Sequence, residues 1–133
     1  MFKIKNKKEM ASKLKILIDF KQCLINFLDE LIDQFPEEGD LVVIRIFLND
    51  QMPIEQIMNI FIAKILPYKK IVKERNDSFF VNQNEFFGSL NKDKVNHFKM
   101  LWLSDKLDAD DRNVIWKWYD AFINLAEKYQ VAN

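Results

Sequence analysis

The chain contains 133 residues, of which 49% are hydrophobic, and it carries 20 basic and 20 acidic side chains. A chain of this length is expected to form one domain that folds without a disulfide or a structural metal, because it can bury about two-thirds of its unfolded surface. Zero formal net charge argues against a general nucleic-acid binder, and the single cysteine, Cys23, excludes an internal disulfide.

The first residues are predicted to form a short basic lead-in, residues 1–12, ahead of a single helical domain over residues 13–133. No apolar stretch of the kind found in signal peptides follows the lysines of this lead-in. No apolar run reaches the roughly 18–20 residues that span a bilayer. We therefore expect an intracellular protein, in the cytoplasm or the nucleus, that does not insert into a membrane.

A long helix is predicted over residues 12–34, because apolar residues return there at helical spacing. At about 100° per residue, the apolar residues of this helix cover an arc of roughly 220° on the helix wheel. This arc is wider than the apolar stripe of an ordinary surface helix. Two explanations remain open: the helix lies at the centre of the fold, or part of its surface contacts a partner. A second apolar stripe beside the main one consists of Ile16, Phe20, Cys23 and Phe27. Of these, Ile16, Phe20 and Phe27 are the candidate partner contacts.

The next element is a nearly uninterrupted apolar run, Leu41–Leu48, in which only Arg45 is polar. Its valines and isoleucines suit a buried strand as well as a helix. No other segment is an obvious partner strand, and a lone strand would leave its backbone hydrogen-bonding groups unpaired. The sequence therefore favours a helix, with a strand as the alternative. Arg45 is expected to pair with an acidic side chain of another helix.

Further helices are predicted over four stretches: 54–66, 68–84, 92–103 and 108–130. Pro53 suits the first position of the earliest of these helices, and Pro67 ends it. Asn76-Asp77 is expected to break the next helix, and Asp108 is expected to cap the last one. The predicted fold class is all-α, a compact bundle of five to seven helices. Its long N-terminal helix is expected at the centre, packed against the last helix.

A cluster of positive charge is predicted around the third and fourth helices and consists of Lys64, Lys69, Lys70, Lys73 and Arg75. Such a cluster can contact nucleic-acid phosphates or an acidic protein surface. The alternative is a solvated helix face whose charge is balanced by the acidic stretch 29–40. Binding that weakens steeply with salt would distinguish nucleic-acid contact from this alternative.

Aromatic side chains near the C-terminus suggest a contact surface. Trp116 and Ile123 lie at the far edge of the apolar stripe of the last helix, and Trp102 is close in sequence. Together they would form an exposed patch, since tryptophan is favoured in protein interfaces. The alternative is a wide apolar face that the first helix buries.

Residues with catalytic or metal-binding chemistry are scarce. His97 is the only histidine, so a zinc site would need several carboxylates as its other ligands. The acidic run that starts at Asp108 does not match a calcium-binding loop, since arginine follows at the fifth position and asparagine at the sixth. We expect no catalytic residue, cofactor or metal ion.

Two stretches carry a family resemblance: FLDELIDQFPEEGDLVVIRIFLNDQMPIEQIM, Phe27–Met58, and HFKMLWLSDKLDADDRNVIWKWYDAFINLAEKY, His97–Tyr129. They resemble short helical proteins of the nucleocytoplasmic large DNA viruses of eukaryotes. The resemblance implies a viral origin and a virion-associated or replication-compartment role. Together these observations favour a non-enzymatic interaction protein, structural or accessory, that associates with itself or with another protein. The alternatives are a nucleic-acid-associated regulator that uses the basic cluster and, least favoured, an enzyme with dispersed carboxylates.

Overall fold

A computed structural model of the chain describes residues 2–81 and 92–132, and it gives side chains for residues 12–80, 96, 97 and 99–132. Every regular element in this part of the chain is helical, which confirms the all-α prediction. Its α-helices are α1 (Phe2–Gln34), α2 (Gly39–Asp50), α3 (Ile54–Lys64), α4 (Lys69–Lys73), α5 (Ser78–Val81), α6 (Lys92–Leu103) and α7 (Ala109–Val131). A 3-10 turn, Leu66–Tyr68, joins α3 to α4. Residues 82–84, the end of the helix predicted over 68–84, lie outside the described residues.

Helix α1 begins at Phe2, so the helix predicted from residue 12 extends back through the residues of the basic lead-in from residue 2 onward. Lysine is a good helix former, and this stretch contains neither glycine nor proline, so its charge does not end the helix. At about 1.5 Å per residue, the 33 residues of α1 extend for roughly 50 Å.

Helix α2 contains the whole apolar run 41–48, which confirms the helix and excludes the strand. It packs along α1 in the opposite direction, as two contacts show. Arg45 Nε donates to Asp29 Oδ1 of α1 at 2.6 Å, and Lys21 Nζ of α1 donates to the carbonyl oxygen of Asn49 at 2.9 Å. The first contact confirms that Arg45 pairs with an acidic residue of another helix.

The core lies where α1, α3 and α7 meet. Phe20 of α1 is fully buried, and its ring makes edge-to-face contacts with Phe61 of α3 at 5.5 Å and with Phe122 of α7 at 6.1 Å. Edge-to-face pairs of this kind add to the free energy gained by burying the rings. Helix α1 thus contacts α2, α3 and α7, so the central position predicted for it, packed against the last helix, is confirmed.

The break predicted near Asn76 occurs at the end of α4. Arg75 adopts a φ of 55°, in the left-handed region, and donates its backbone N–H to the carbonyl oxygen of Val72 at 3.0 Å. Asn76 donates to the carbonyl oxygen of Ile71 at 3.1 Å. These two bonds form a Schellman motif, which turns the chain and separates α4 from α5.

The start of α7 confirms the predicted N-cap. Asp108 Oδ1 accepts from the backbone N–H of Asp111 at 2.8 Å, and Asp111 Oδ2 accepts from the backbone N–H of Asp108 at 3.1 Å. This reciprocal capping box satisfies donors that the first turn of a helix leaves unpaired.

Candidate interaction surfaces

The aromatic patch predicted near the C-terminus is buried, so its prediction as an exposed partner contact is wrong. Trp102 and Trp116 are each 4% exposed, and Ile123 is 1% exposed. Helix α5 is the reason, because Phe80 of α5 lies 4.1 Å from the Trp102 ring and 4.9 Å from the Trp116 ring. The far edge of α7 is thus covered by α5 and α6 as well as by α1.

The second stripe of α1 also belongs to the core. Phe20 is 0% exposed, so its assignment as a partner contact is wrong. Phe27 is half-buried between Phe122, at 5.6 Å, and Trp118, at 5.9 Å, and Ile16 packs against the same core. A central position in the fold accounts for this stripe.

An apolar surface that the sequence-based predictions missed lies on the outward side of α2. Val42, Val43, Ile46 and Phe47 are between 41% and 64% exposed, and we call them the α2 outer face. At about 100° per residue these four positions span roughly 140° of the helix, opposite the side that packs on α1. A signal for this face was present in the sequence. A short helix with one polar residue among eight cannot turn all of its apolar side chains inward.

The basic cluster is largely neutralised by carboxylates. Lys69 Nζ lies 2.7 Å from Glu127 Oε2, Arg75 Nη2 lies 2.6 Å from Asp120 Oδ2, and Lys73 Nζ lies 3.8 Å from Asp120 Oδ1. A weaker pair joins Lys70 and Glu74 within α4, and Lys64 is exposed at the end of α3. The balancing charges come from Asp120 and Glu127 of α7 and from Glu74, and not from residues 29–40 as the alternative interpretation expected. This pairing disfavours phosphate contact by the cluster as a whole.

Cys23 is a free, half-buried cysteine, and His97 lies beside a carboxylate. Burial, with the Asp19 carboxylate as a smaller contribution, raises the pKa of the Cys23 thiol, and a raised pKa lowers the thiolate fraction at neutral pH. His97 Nε2 lies 2.9 Å from both carboxylate oxygens of Glu38. Among the described residues, no group of histidine, cysteine and acidic side chains could hold a metal ion. None of the described helices is long and apolar enough to cross a membrane.

A cleft between the C-terminal half of α1 and the N-terminal half of α7 is the second candidate surface. Its volume is about 410 Å³, and its walls include Phe27, Leu31 and Ile115 together with the carboxylates of Glu30 and Asp33. Asp111 and Trp118 of α7 complete the side opposite α1. We call it the α1–α7 cleft.

Hydrogen bonds across the cleft fix the positions of its polar side chains. Trp118 Nε1 donates to Glu30 Oε2 at 2.8 Å. Gln34 Nε2 donates to the carbonyl oxygen of Lys106 at 3.2 Å and to Asp111 Oδ2 at 3.4 Å. The carboxylates of Glu30 and Asp111 are therefore oriented by neutral donors, which leaves their negative charge uncompensated by a cation.

Comparison with protein-family models, with curated proteins and with solved structures finds no match to the chain.

Proposed function

We propose that this protein is a non-enzymatic interaction protein that associates with a second copy of itself through the α2 outer face. The observation that supports the proposal is the concentration of exposed Val42, Val43, Ile46 and Phe47 on one side of one helix. Single exposed apolar residues are ordinary on a protein surface, whereas a contiguous apolar patch is typical of an interaction site.

The chemistry of the α2 outer face suits a copy of itself. A two-fold contact brings the same residues together from both chains, so any charge on the face would meet a like charge. The four residues of the α2 outer face are uncharged. Phe47 supplies a large rigid ring, and aromatic side chains are favoured at the centre of interfaces. Burying this face at a dimer contact would therefore gain free energy without like-charge repulsion.

The raised pKa of the half-buried Cys23 thiol lowers its thiolate fraction, and this supports a non-enzymatic role. The resemblance of residues 27–58 and 97–129 to proteins of large DNA viruses supports a virus-encoded structural or accessory protein of the host-cell interior. Mass spectrometry of purified particles and of infected cells tests that origin. Absence of the protein from both would count against it.

Sedimentation of the purified protein over a range of concentrations tests the dimer. We expect a mass that rises to twice that of the chain, and we expect Phe47→Glu to remain monomeric because it places a charge in the contact. Ile60→Glu is the matched control, since Ile60 is 46% exposed on α3 and Phe47 is 48% exposed. A wild-type protein that stays monomeric to about 1 mM, where binding is worth only about 4 kcal/mol, would refute the proposal. So would an equal loss of association in both variants.

A further inference from the structure

The α1–α7 cleft has the dimensions of a binding groove. Its volume of about 410 Å³ lies within the roughly 300–1,000 Å³ range of protein pockets that hold ligands. Phe27, Leu31 and Ile115 form an apolar floor between two helices that run side by side. An apolar side chain from outside the chain would be removed from water on this floor.

The cleft carries negative charge that no cation of the described residues pairs with. Glu30, Asp33 and Asp111 line it, and no lysine or arginine does. Neutral donors hold Glu30 and Asp111, and Asp33 has neither a hydrogen bond nor an ion pair to any described residue. The positive end of α7 offsets part of the charge on Asp111. A cleft of this kind concentrates negative potential and attracts cations.

Ion pairs do not reach every carboxylate of the described surface. Asp29 accepts from Arg45 and Glu127 lies beside Lys69, whereas Asp50 and Glu55 form no ion pair with a described residue. Because no lysine or arginine lines the cleft, a cation that pairs with its carboxylates would come from another molecule.

Trp118 points to the same class of ligand on separate grounds. Its indole lines the cleft beside Glu30, with Phe27 next to it at 5.9 Å. A cation that pairs with Glu30 would therefore lie next to the Trp118 indole, and tryptophan is the aromatic side chain that attracts ammonium and guanidinium groups most strongly.

We infer that the α1–α7 cleft is a docking groove for a basic amphipathic helix of a partner protein. The partner helix places one apolar side chain on Phe27, Leu31 and Ile115, and it directs lysine or arginine side chains to Glu30 and Asp33. Two antiparallel helices with an apolar floor between them can take up the apolar face of a third helix. On the helix wheel, Phe27, Leu31 and Gln34 lie on the side of α1 opposite the α2 contacts of Lys21 and Asp29, and Asp33 lies between the two sides. This inference therefore goes beyond the proposed function and does not depend on the α2 outer face.

The test uses the full-length protein, labelled for NMR, and a synthetic amidated peptide. The peptide has about 18 residues, with leucines at i, i+3, i+4 and i+7 and lysines between them. We expect binding to shift the indole N–H resonance of Trp118. This resonance is assigned by its absence from the spectrum of the Trp118→Phe variant. We also expect a scrambled peptide of the same composition to bind at least about tenfold more weakly, because it has the charge but not the apolar stripe.

Charge reversal at the rim provides the matched comparison. Asp33→Lys is expected to weaken peptide binding at least about tenfold, and Asp50→Lys, the same charge change at the end of α2, by no more than about twofold. The inference would be overturned if the two variants weakened binding equally or if the scrambled peptide bound as tightly as the designed one. It would also be overturned if the peptide left the Trp118 resonance unmoved. Phe47→Glu should bind the peptide like the wild type, so failure of the proposed dimer and failure of this groove are distinguishable.

Discussion

Arg75 and Asp120 are joined by two hydrogen bonds, from Nη1 to Oδ1 at 2.9 Å and from Nη2 to Oδ2 at 2.6 Å. The same arginine occupies the left-handed position that ends α4, with a φ of 55°. Glycine is favoured at this position because a side chain there strains the backbone. The contact between α4 and α7 therefore depends on a residue whose side chain stabilises the fold while its backbone conformation opposes it.

Substitutions at Arg75 separate these two effects. Arg75→Ala loses both hydrogen bonds and keeps the strain, and we expect it to lower the free energy of unfolding by about 1–2 kcal/mol, since the pair is about one-third exposed. Arg75→Gly loses the same bonds but relieves the strain, so it should be more stable than the alanine variant by about 1 kcal/mol. Urea denaturation measures both variants. An alanine variant at least as stable as the glycine variant would contradict the strained conformation.

Sequence periodicity predicted the features that depend on residues close together in the chain. The apolar spacing of α7 and the capping residue Asp108 are read directly from neighbouring positions, and both predictions were confirmed. The pairing of Arg45 was predictable because an arginine inside an apolar run needs a nearby acid. These features depend on the residues of one helix and on a single contact to another.

Long-range packing is the part that sequence spacing did not predict. Trp116 and Ile123 were expected on an edge of α7, but burial of that edge depends on how Phe80 of α5 folds over it. The Schellman turn at Arg75 sets that position, and an arginine gives no sequence signal for a left-handed residue. The α1–α7 cleft was missed for the same reason, since Glu30 and Asp111 meet only in the folded chain.

Acid should weaken the contact between α4 and α7. The hydrogen bonds from Arg75 are the main reason why the pKa of Asp120 lies below its usual value of 3.8, and burial opposes this shift. A carboxyl group with a lowered pKa in the fold contributes stability that is complete above its unfolded pKa and is lost as the pH falls through the folded value. We therefore expect Asp120→Asn to be less stable than the wild type at neutral pH and the difference to shrink below about pH 4. Urea denaturation at a series of pH values measures this, and a constant difference down to pH 2 would contradict the shift.

Alkali should destabilise the aromatic core at Tyr119. Burial raises the pKa of the Tyr119 hydroxyl to about 12, and an unfolded tyrosine titrates near 10. Because the folded pKa is raised, the stability that Tyr119 contributes is complete below pH 10 and is lost as the pH rises towards 12. Burial also raises the pKa of Tyr129, so ultraviolet absorbance should show delayed ionisation of both tyrosines in native protein relative to urea. Tyr119→Phe should remove the last part of this ionisation, near pH 12, and an unchanged last part in the variant would show that another tyrosine is responsible.

The salt dependence of DNA binding tests whether carboxylates neutralise the basic cluster. If the pairs to Glu127 and Asp120 persist, Lys64 and Lys70 are the members left to contact phosphates. The slope of log K against log salt should then be about −2 or shallower, since each phosphate neutralised on duplex DNA contributes about −0.9. Glu127→Gln and Asp120→Asn release cations from their partners, so these variants should bind more tightly with a steeper slope. A wild-type slope near −4.5, as expected if all five cations bind phosphates, would contradict the neutralised cluster and restore the nucleic-acid function.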